Sequence, residues 1–203
     1  MLNEKNKLDR MGLFTASSIH KIMGVKGLGE TGLTYIKTKV AEALGVREDE
    51  VFGKAINWGN ENEDEAKEYY SIASKTEIIT PDFTVASWNK DFGCTPDGLI
   101  KGQKKGIEIK CPYVPANHID NLLIRSQNDL KTIRKEYYWQ IVACMAVMDY
   151  DKWDFVSYDP RFTGSNRMIS VEIIRDINDE DLLKSRIIEA SAIKQDILNR
   201  LNL

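Results

Sequence analysis

No stretch of this chain is apolar for the length a membrane span requires, and its opening, MLNEKNKLDR, holds no apolar segment of the kind that directs secretion. These two absences make the cytoplasm the expected location. Cysteine is scarce. The three present, Cys94, Cys111 and Cys144, are odd in number and form neither a CxxC pair nor a cluster with histidine, so neither a disulfide framework nor a zinc site is indicated. Their apolar neighbours mark them as buried small hydrophobes. A surplus of positive charge is also missing: the formal net charge is −3, so a nucleic-acid-handling protein of this composition must concentrate its cations locally. Lys101, Lys104 and Lys105 form one cluster and Lys131, Arg134 and Lys135 another, against an acidic run from Glu61 to Glu68, although any single cluster also reads as solvated charge. There is no internal repeat and no low-complexity tract. The 203 residues give length for a sizeable core, and residues 1–203 are expected to form a single domain.

What the chain does hold is concentrated between Thr95 and Lys110, TPDGLIKGQKKGIEIK. An acid follows a proline, a Gly/Lys-rich turn intervenes, and a Glu-Ile-Lys triplet sits in a short apolar run. Side chains of a strand alternate faces, so Glu108 and Lys110 share one face while Ile107 and Ile109 take the other. Charges on one face of an inner strand require a reason. Metal-assisted phosphodiester hydrolysis supplies one: carboxylates hold Mg²⁺ on the scissile phosphate, and a neighbouring lysine orients or helps deprotonate the attacking water. Asp97, Glu108 and Lys110 fit those roles. The plainer reading is that Pro-Asp-Gly is a common turn and Ile-Glu-Ile-Lys a half-exposed edge strand. The spacing, Pro-Asp, ten residues, then Glu-x-Lys, resembles the PD-(D/E)XK nuclease signature. The iron–sulfur relatives of that class need four cysteines for their cluster, and this chain has three.

Thr15 to Met23 opens with capping residues and predicts a short helix, and the Gly-rich GVKGLGETG after it lacks the spacing of a phosphate-binding loop and reads as a connector. Thr34 to Leu44 predicts an amphipathic helix stopped by Gly45. Gly59 to Ser74 predicts another, with Glu61, Glu63 and Glu65 as candidates for a further metal ligand. At about 100° per residue, Ala66, Tyr69, Tyr70 and Ala73 form its buried stripe; Glu63 and Glu65 flank the stripe on opposite edges and Glu61 lies further round, which leaves the first two both open. Phe83 to Trp88 and Phe92 to Thr95 read as strands joined by Asn89-Lys90-Asp91. Glu136 to Met148 is apolar nearly all round and predicts a helix packed on more than one side, in which Gln140 is either a satisfied core amide or a polar group aimed at a site. Trp153 to Tyr158 and Met168 to Ile174 predict an antiparallel pair, and Asp179 to Leu203 a closing amphipathic helix. The order predicts an α/β fold, a mixed β-sheet flanked by helices on both faces.

Several segments, in order and spread over most of the chain, resemble the phage lambda-type exonucleases, the alkaline exonuclease and YqaJ-like branch of the PD-(D/E)XK (restriction-endonuclease-like) fold. They are RMGLFTAS at Arg10 to Ser17, NWGNENEDEA at Asn57 to Ala66, CTPDGL at Cys94 to Leu99, IEIKCP at Ile107 to Pro112, Tyr-x-x-Gln at Tyr137 to Gln140, and SYDPR at Ser157 to Arg161. The resemblance, aligned on Trp58-Gly59 and Ala66, implies that Glu63 is the helix glutamate approaching a second metal. It implies Asp97 and Glu108 as the core metal carboxylates, the Ile109 carbonyl as a further ligand, Lys110 as the catalytic lysine and Gln140 as the motif glutamine. It also implies a small positive pocket for the 5′-phosphate of the strand being degraded, with Arg10 and Ser17 on the matching positions and Thr95 where a relative carries serine. A guanidinium grips phosphate in a bidentate manner, and a hydroxyl near a helix start joins unpaired N–H groups. Ile56 falls where an apolar wedge would part the terminal base pairs, although an isoleucine before a tryptophan is also ordinary core.

In function, the resemblance implies a Mg²⁺-dependent 5′-to-3′ exonuclease that degrades linear double-stranded DNA to 5′-mononucleotides and leaves a 3′ single strand for recombination by annealing. Two Mg²⁺ per site, with Mn²⁺ substituting, a ring-shaped homotrimer with a basic inner surface, and a phage single-strand annealing protein as partner are its accompanying expectations. The alternatives are a structure-specific or restriction-type endonuclease on the same fold, and a non-catalytic DNA-binding recombination module. Glu63, Asp97, Glu108 and Lys110 standing together speak against the second.

Overall fold

The Ile-Glu-Ile-Lys run lies in strand β6 (Lys105–Lys110), the middle strand of a five-stranded sheet in the computed structural model, which describes residues 9–46 and 53–201. Its neighbours in order are β2 (Ile78–Ile79), β5 (Gly98–Ile100), β6, β7 (Lys152–Tyr158) and β8 (Met168–Ile174). β6 runs antiparallel to β5 and parallel to β7, so the sheet is mixed and β6 has a hydrogen-bonded partner on each side. The edge-strand reading of that segment is thereby overturned. Two glycines shape the strand. Gly102 turns the chain between β5 and β6 at a φ of 76°, and Gly106 stands in register with Trp153, whose indole fills the space a Cβ would need.

The alternation along β6 divides the molecule. Ile107 and Ile109 pack with Val156 and Tyr158 of β7 against Ala66 and Tyr70 of helix α2 (Lys54–Ser74). The other face meets helix α5 (Lys135–Met148), buried from Tyr138 to Ala146, as its all-round apolar composition requires. Behind α5, within the larger core, lies α6 (Ile177–Arg200), capped by the Asp176 carboxylate, which accepts from the N–H groups of Asn178 and Asp179. The order is completed by α1 (Gly29–Ala43), α3 (Pro115–Leu122) and α4 (Gln127–Ile133). No described helix is long and apolar enough to cross a membrane.

A second, three-stranded sheet joins β1 (Phe14–Thr15), β4 (Phe92–Cys94) and β3 (Thr84–Val85). The segment Thr95-Pro96-Asp97 passes from this small sheet to the large one and so places Asp97 at the seam.

Several boundaries differ from expectation. The Thr15 helix is a tight 3-10 helix, Ala16–Ile22, and Thr15 does not cap it with its side chain. α1 starts inside the glycine run, and α2 starts at Lys54 instead of Gly59. On α2 the buried residues are Asn62, Ala66 and Tyr70, whereas Tyr69 and Ala73 are exposed, because only a narrow strip of this helix is covered by the sheet. The strand expected from Phe83 to Trp88 shrinks to Thr84–Val85. Cys94 and Cys144 are buried, but Cys111, at the end of β6, is only half-buried. Most of the opening decapeptide and the last two residues of the expected closing helix lie outside the described residues.

Candidate active site

Arg10, Ser17, Glu63, Thr95, Asp97 and Gln140 line one open cleft of ≈ 530 Å³. Four segments distant in sequence bring them there: the approach to the 3-10 helix, the middle of α2, the seam between the two sheets, and the first turns of α5.

Below the cleft sit the charges of β6. Asp97 accepts the Ile109 N–H at 2.7 Å on Oδ2, which ties the seam to β6 through the carboxylate itself. Glu108 is 0% exposed. Lys110 Nζ lies 2.6 Å from its Oε1, donates to Gln140 Oε1 at 3.3 Å, and stands 5.0 Å from the centre of the Tyr137 ring. The ion-pair distance overstates how well Glu108 is served, because neither of its oxygens has a directed hydrogen bond. Burial, followed by the neighbouring Asp97, pushes Glu108 up to about 8 against the pull of Lys110. Asp97 is raised by burial and by Glu63, against Lys110 and the Ile109 N–H. Burial acts to lower the Lys110 ammonium, but Glu108 and Asp97 outweigh it and hold it above its ordinary value. Two acids thus share one lysine, and the site is short of positive charge.

The two open glutamates separate clearly in space. Glu63 lines the cleft and accepts from Lys67 Nζ at 2.6 Å, one helical turn on. Glu65 points elsewhere, accepting from Tyr158 Oη at 2.7 Å and Arg167 Nη2 at 2.8 Å, and Glu61 is exposed outside the cleft. Among the described residues no three His, Cys, Asp or Glu side chains converge into a ready-made cation cage. The donor set nonetheless suits a hard divalent cation. A buried carboxylate without a directed partner and a half-buried one, both with raised pKa values, are all-oxygen ligands whose charge only Lys110 offsets.

At the other end of the cleft stands Arg10, 5.9 Å from the centre of the Phe83 ring; burial lowers its pKa, and among the described residues no carboxylate pairs with it. Ser17 is exposed, its Oγ 3.4 Å from Thr15 Oγ1, and the Thr95 hydroxyl is buried without a partner. Arg10, Thr15, Ser17 and Thr95 therefore line one space, with the Thr95 hydroxyl itself covered. Ile56 lies on the first turn of α2, 48% exposed and outside the cleft, so the core reading of that residue fails. Gln140, 8% exposed, spends its carbonyl on Lys110 and is no isolated core amide.

Sequence reasoning missed Lys67 and Thr15, both cleft residues. The i,i+4 spacing of Glu63 and Lys67 was the available signal for the first. It also gave no role to SYDPR, where buried Asp159 grips Arg161 at 2.7 and 2.8 Å.

Residues 7–151 match the family model described as the YqaJ-like viral recombinase domain. Among solved structures, an alkaline exonuclease (LHK-Exo) from Laribacter hongkongensis superposes with a TM-score of 0.86 at 25% identity, covering 98% of this chain and 96% of that one. The structure of LHK-Exo in complex with dAMP gives a TM-score of 0.83 at 25% identity, with 98% of each chain covered. A phage related exonuclease from Haemophilus somnus 129PT, at 18% identity and a TM-score of 0.77 over 97% of this chain and 99% of its own, shares the fold. The mixed α/β architecture expected from the sequence is the architecture of these exonucleases. No curated protein sequence matches.

Proposed function

The chain belongs to the YqaJ-like viral recombinase domain family, and on that premise we propose that it is a divalent-metal-dependent exonuclease acting on linear double-stranded DNA from the 5′ end. Glu108 carries the reading: a fully buried carboxylate without a directed hydrogen bond, on one strand face with Lys110 and beside Asp97. Asp97, Glu108 and the Ile109 carbonyl would hold Mg²⁺, with Glu63 turning from Lys67 to serve a second ion and Mn²⁺ substituting. Such ions supply Lewis-acid activation of the scissile phosphate and of water. Lys110, held charged by its two acids, donates to the attacking water and to the charge that develops on the phosphate, and Gln140 fixes its position. Arg10 with Ser17 and Thr95 grips the terminal 5′-phosphate, which makes release proceed 5′ to 3′.

The reading extends to a single nuclease domain over residues 1–203 that acts in the cytoplasm of a phage-bearing host. It includes a homotrimeric ring whose inner surface is basic while the net charge stays at −3, and a single-strand annealing protein that takes up the 3′ strand. The test is end-labelled linear duplex, 5′-phosphorylated or 5′-hydroxyl, incubated with Mg²⁺, Mn²⁺ or EDTA beside covalently closed circular DNA. Metal-dependent release of 5′-mononucleotides from linear DNA alone is expected. Equal nicking of the circle would instead mean an endonuclease, and no acid-soluble product a non-catalytic module. Light scattering after size-exclusion chromatography checks the trimer.

A further inference from the structure

Asp159 and Arg161 sit beyond the end of β7, outside the cleft, yet Arg161 touches both the segment that follows Lys110 and the helix that carries Glu63. Asp159 is 0% exposed and receives Arg161 three times: Nη2 on Oδ2 at 2.7 Å, and Nε at 2.8 Å and the backbone N–H at 3.0 Å on Oδ1. The guanidinium then donates to the carbonyls of Pro112 (3.0 Å) and Tyr113 (3.1 Å), the segment that follows Lys110. Its flat face covers the Trp58 ring at 4.3 Å, and the Tyr113 ring meets Trp58 edge-on at 6.3 Å. With its hydrogen bonds spent on protein, this guanidinium has little left for a substrate.

Trp58 matters because of where it stands on α2. Across residues 54–61 only Trp58 and Gly59 are even partly covered, so Trp58, packed against Arg161 and Tyr113, is the main side-chain anchor of those turns. The Trp58 carbonyl accepts from Asn62 Nδ2 at 2.7 Å, which carries the anchorage to the turn that bears Glu63. We propose that Arg161, locked by Asp159, is a positioning residue that registers α2, and with it Glu63, against Asp97 and Glu108. The inference rests on the metal site argued above. Groups that orient metal ligands from outside typically change metal affinity or activity ~10–100-fold when removed.

The full-length chain allows a direct test. Arg161→Gln alone would strand a buried carboxylate, so it is combined with Asp159→Asn; Arg161→Lys keeps the charge but loses the fork, and Trp58→Leu attacks the contact from the other side. Mn²⁺ affinity is read from the electron paramagnetic resonance signal of unbound Mn²⁺, and the Mg²⁺ half-saturation point and kcat from cleavage. All three proteins should bind Mn²⁺ ~10-fold more weakly and need more Mg²⁺, with most of the rate recovered at saturating metal. Glu180→Gln, which removes a buried carboxylate of α6 held by Arg175 and Lys184 outside the cleft, should lower the melting temperature without moving Mn²⁺ affinity. Unchanged Mn²⁺ affinity in the variants, or an equal loss in Glu180→Gln, would overturn the positioning role while leaving the metal site intact. A wild-type protein that binds no Mn²⁺ would overturn both.

Discussion

Two glutamates are withdrawn from water here in opposite ways. Glu180, 3% exposed on the first turn of α6, is held by Arg175 at 2.5 and 2.9 Å and by Lys184 at 2.6 Å, and Arg175 draws its pKa below the ordinary value against the effect of burial. Glu108, 0% exposed, has one lysine near one oxygen and no directed hydrogen bond, and burial pushes it up to about 8. Desolvation costs both; Glu180 is compensated by two cations, Glu108 by one lysine that it shares with Asp97. A carboxylate compensated from inside stabilises the fold. One left short costs the fold stability, and under the proposed reading it is the group a bound cation would compensate.

The largest expected effect breaks this contrast from the Glu108 side. Glu108→Gln should reduce metal-dependent cleavage roughly 10³-fold and abolish metal binding, while the metal-free protein gains stability at alkaline pH. The sign follows from a raised pKa: the protonated Glu108 contributes fully below its ordinary 4.5, and the contribution is lost as pH rises through about 8. Melting in EDTA across pH 5 to 10 should therefore slope downward in the wild type and flatten in the variant. Lys110→Ala comes next, at ~10²–10³ in rate, because a charge-stabilising donor is lost while the carboxylates remain. Calorimetry with Ca²⁺ should show metal still bound, and near-wild-type turnover would remove the lysine from the mechanism.

The cations offer the same contrast. Arg175 is saturated by Glu180 and Asp149, whereas Arg10 forms no salt bridge among the described residues and has only Glu42 acting on it at longer range. Arg10→Ala should slow digestion of 5′-phosphorylated duplex about tenfold to a hundredfold and leave 5′-hydroxyl duplex nearly unaffected, as expected for a lost charge-assisted pair. An unchanged rate ratio would assign Arg10 to holding the N-terminal segment alone. Smallest in its effect on turnover is Glu180→Gln, which should lower stability by about 1.5–3 kcal/mol and leave activity per folded molecule intact. Because the Glu180 pKa is depressed, its contribution is present above the ordinary 4.5 and lost as pH falls through the folded value, so the variant should lose part of the wild-type acid slope in chemical denaturation.

The parts of this molecule legible in its sequence are those whose periodicity is enforced by burial on a defined side. Ile107 to Lys110 alternates because one face meets α2 and the other the site; α5 is apolar all round because it is covered all round. The two-residue strands β2 and β3 carry no period, since their partners define them. The first turns of α2 are exposed nearly all round and so leave no stripe to mark where the helix begins. Tyr69 was misassigned to the core because its ring lies along Tyr158 and beneath Arg167 at the rim, a contact that helical angle alone does not distinguish from burial. Glu63 and Glu65 were equivalent by angle and are separated only by what stands opposite each, cleft on one side and Arg167 on the other. Arg161 and Trp58 meet across a long sequence separation, where no local pattern signals contact.

Every described residue that lines the cleft lies at or before Gln140, yet β6 borrows one of its two flanking partners, β7, from residues made only afterwards. On the ribosome, the cleft residues are therefore translated before one of the strands that support β6. The β5–β6 hairpin closes locally and early, whereas the parallel β6–β7 ladder must wait for a long loop carrying three helices to fold back. During that interval β6 is a bare edge, open to stray strands. Asp97, Glu108 and Lys110 are therefore held in a finished sheet only once Tyr158 has emerged.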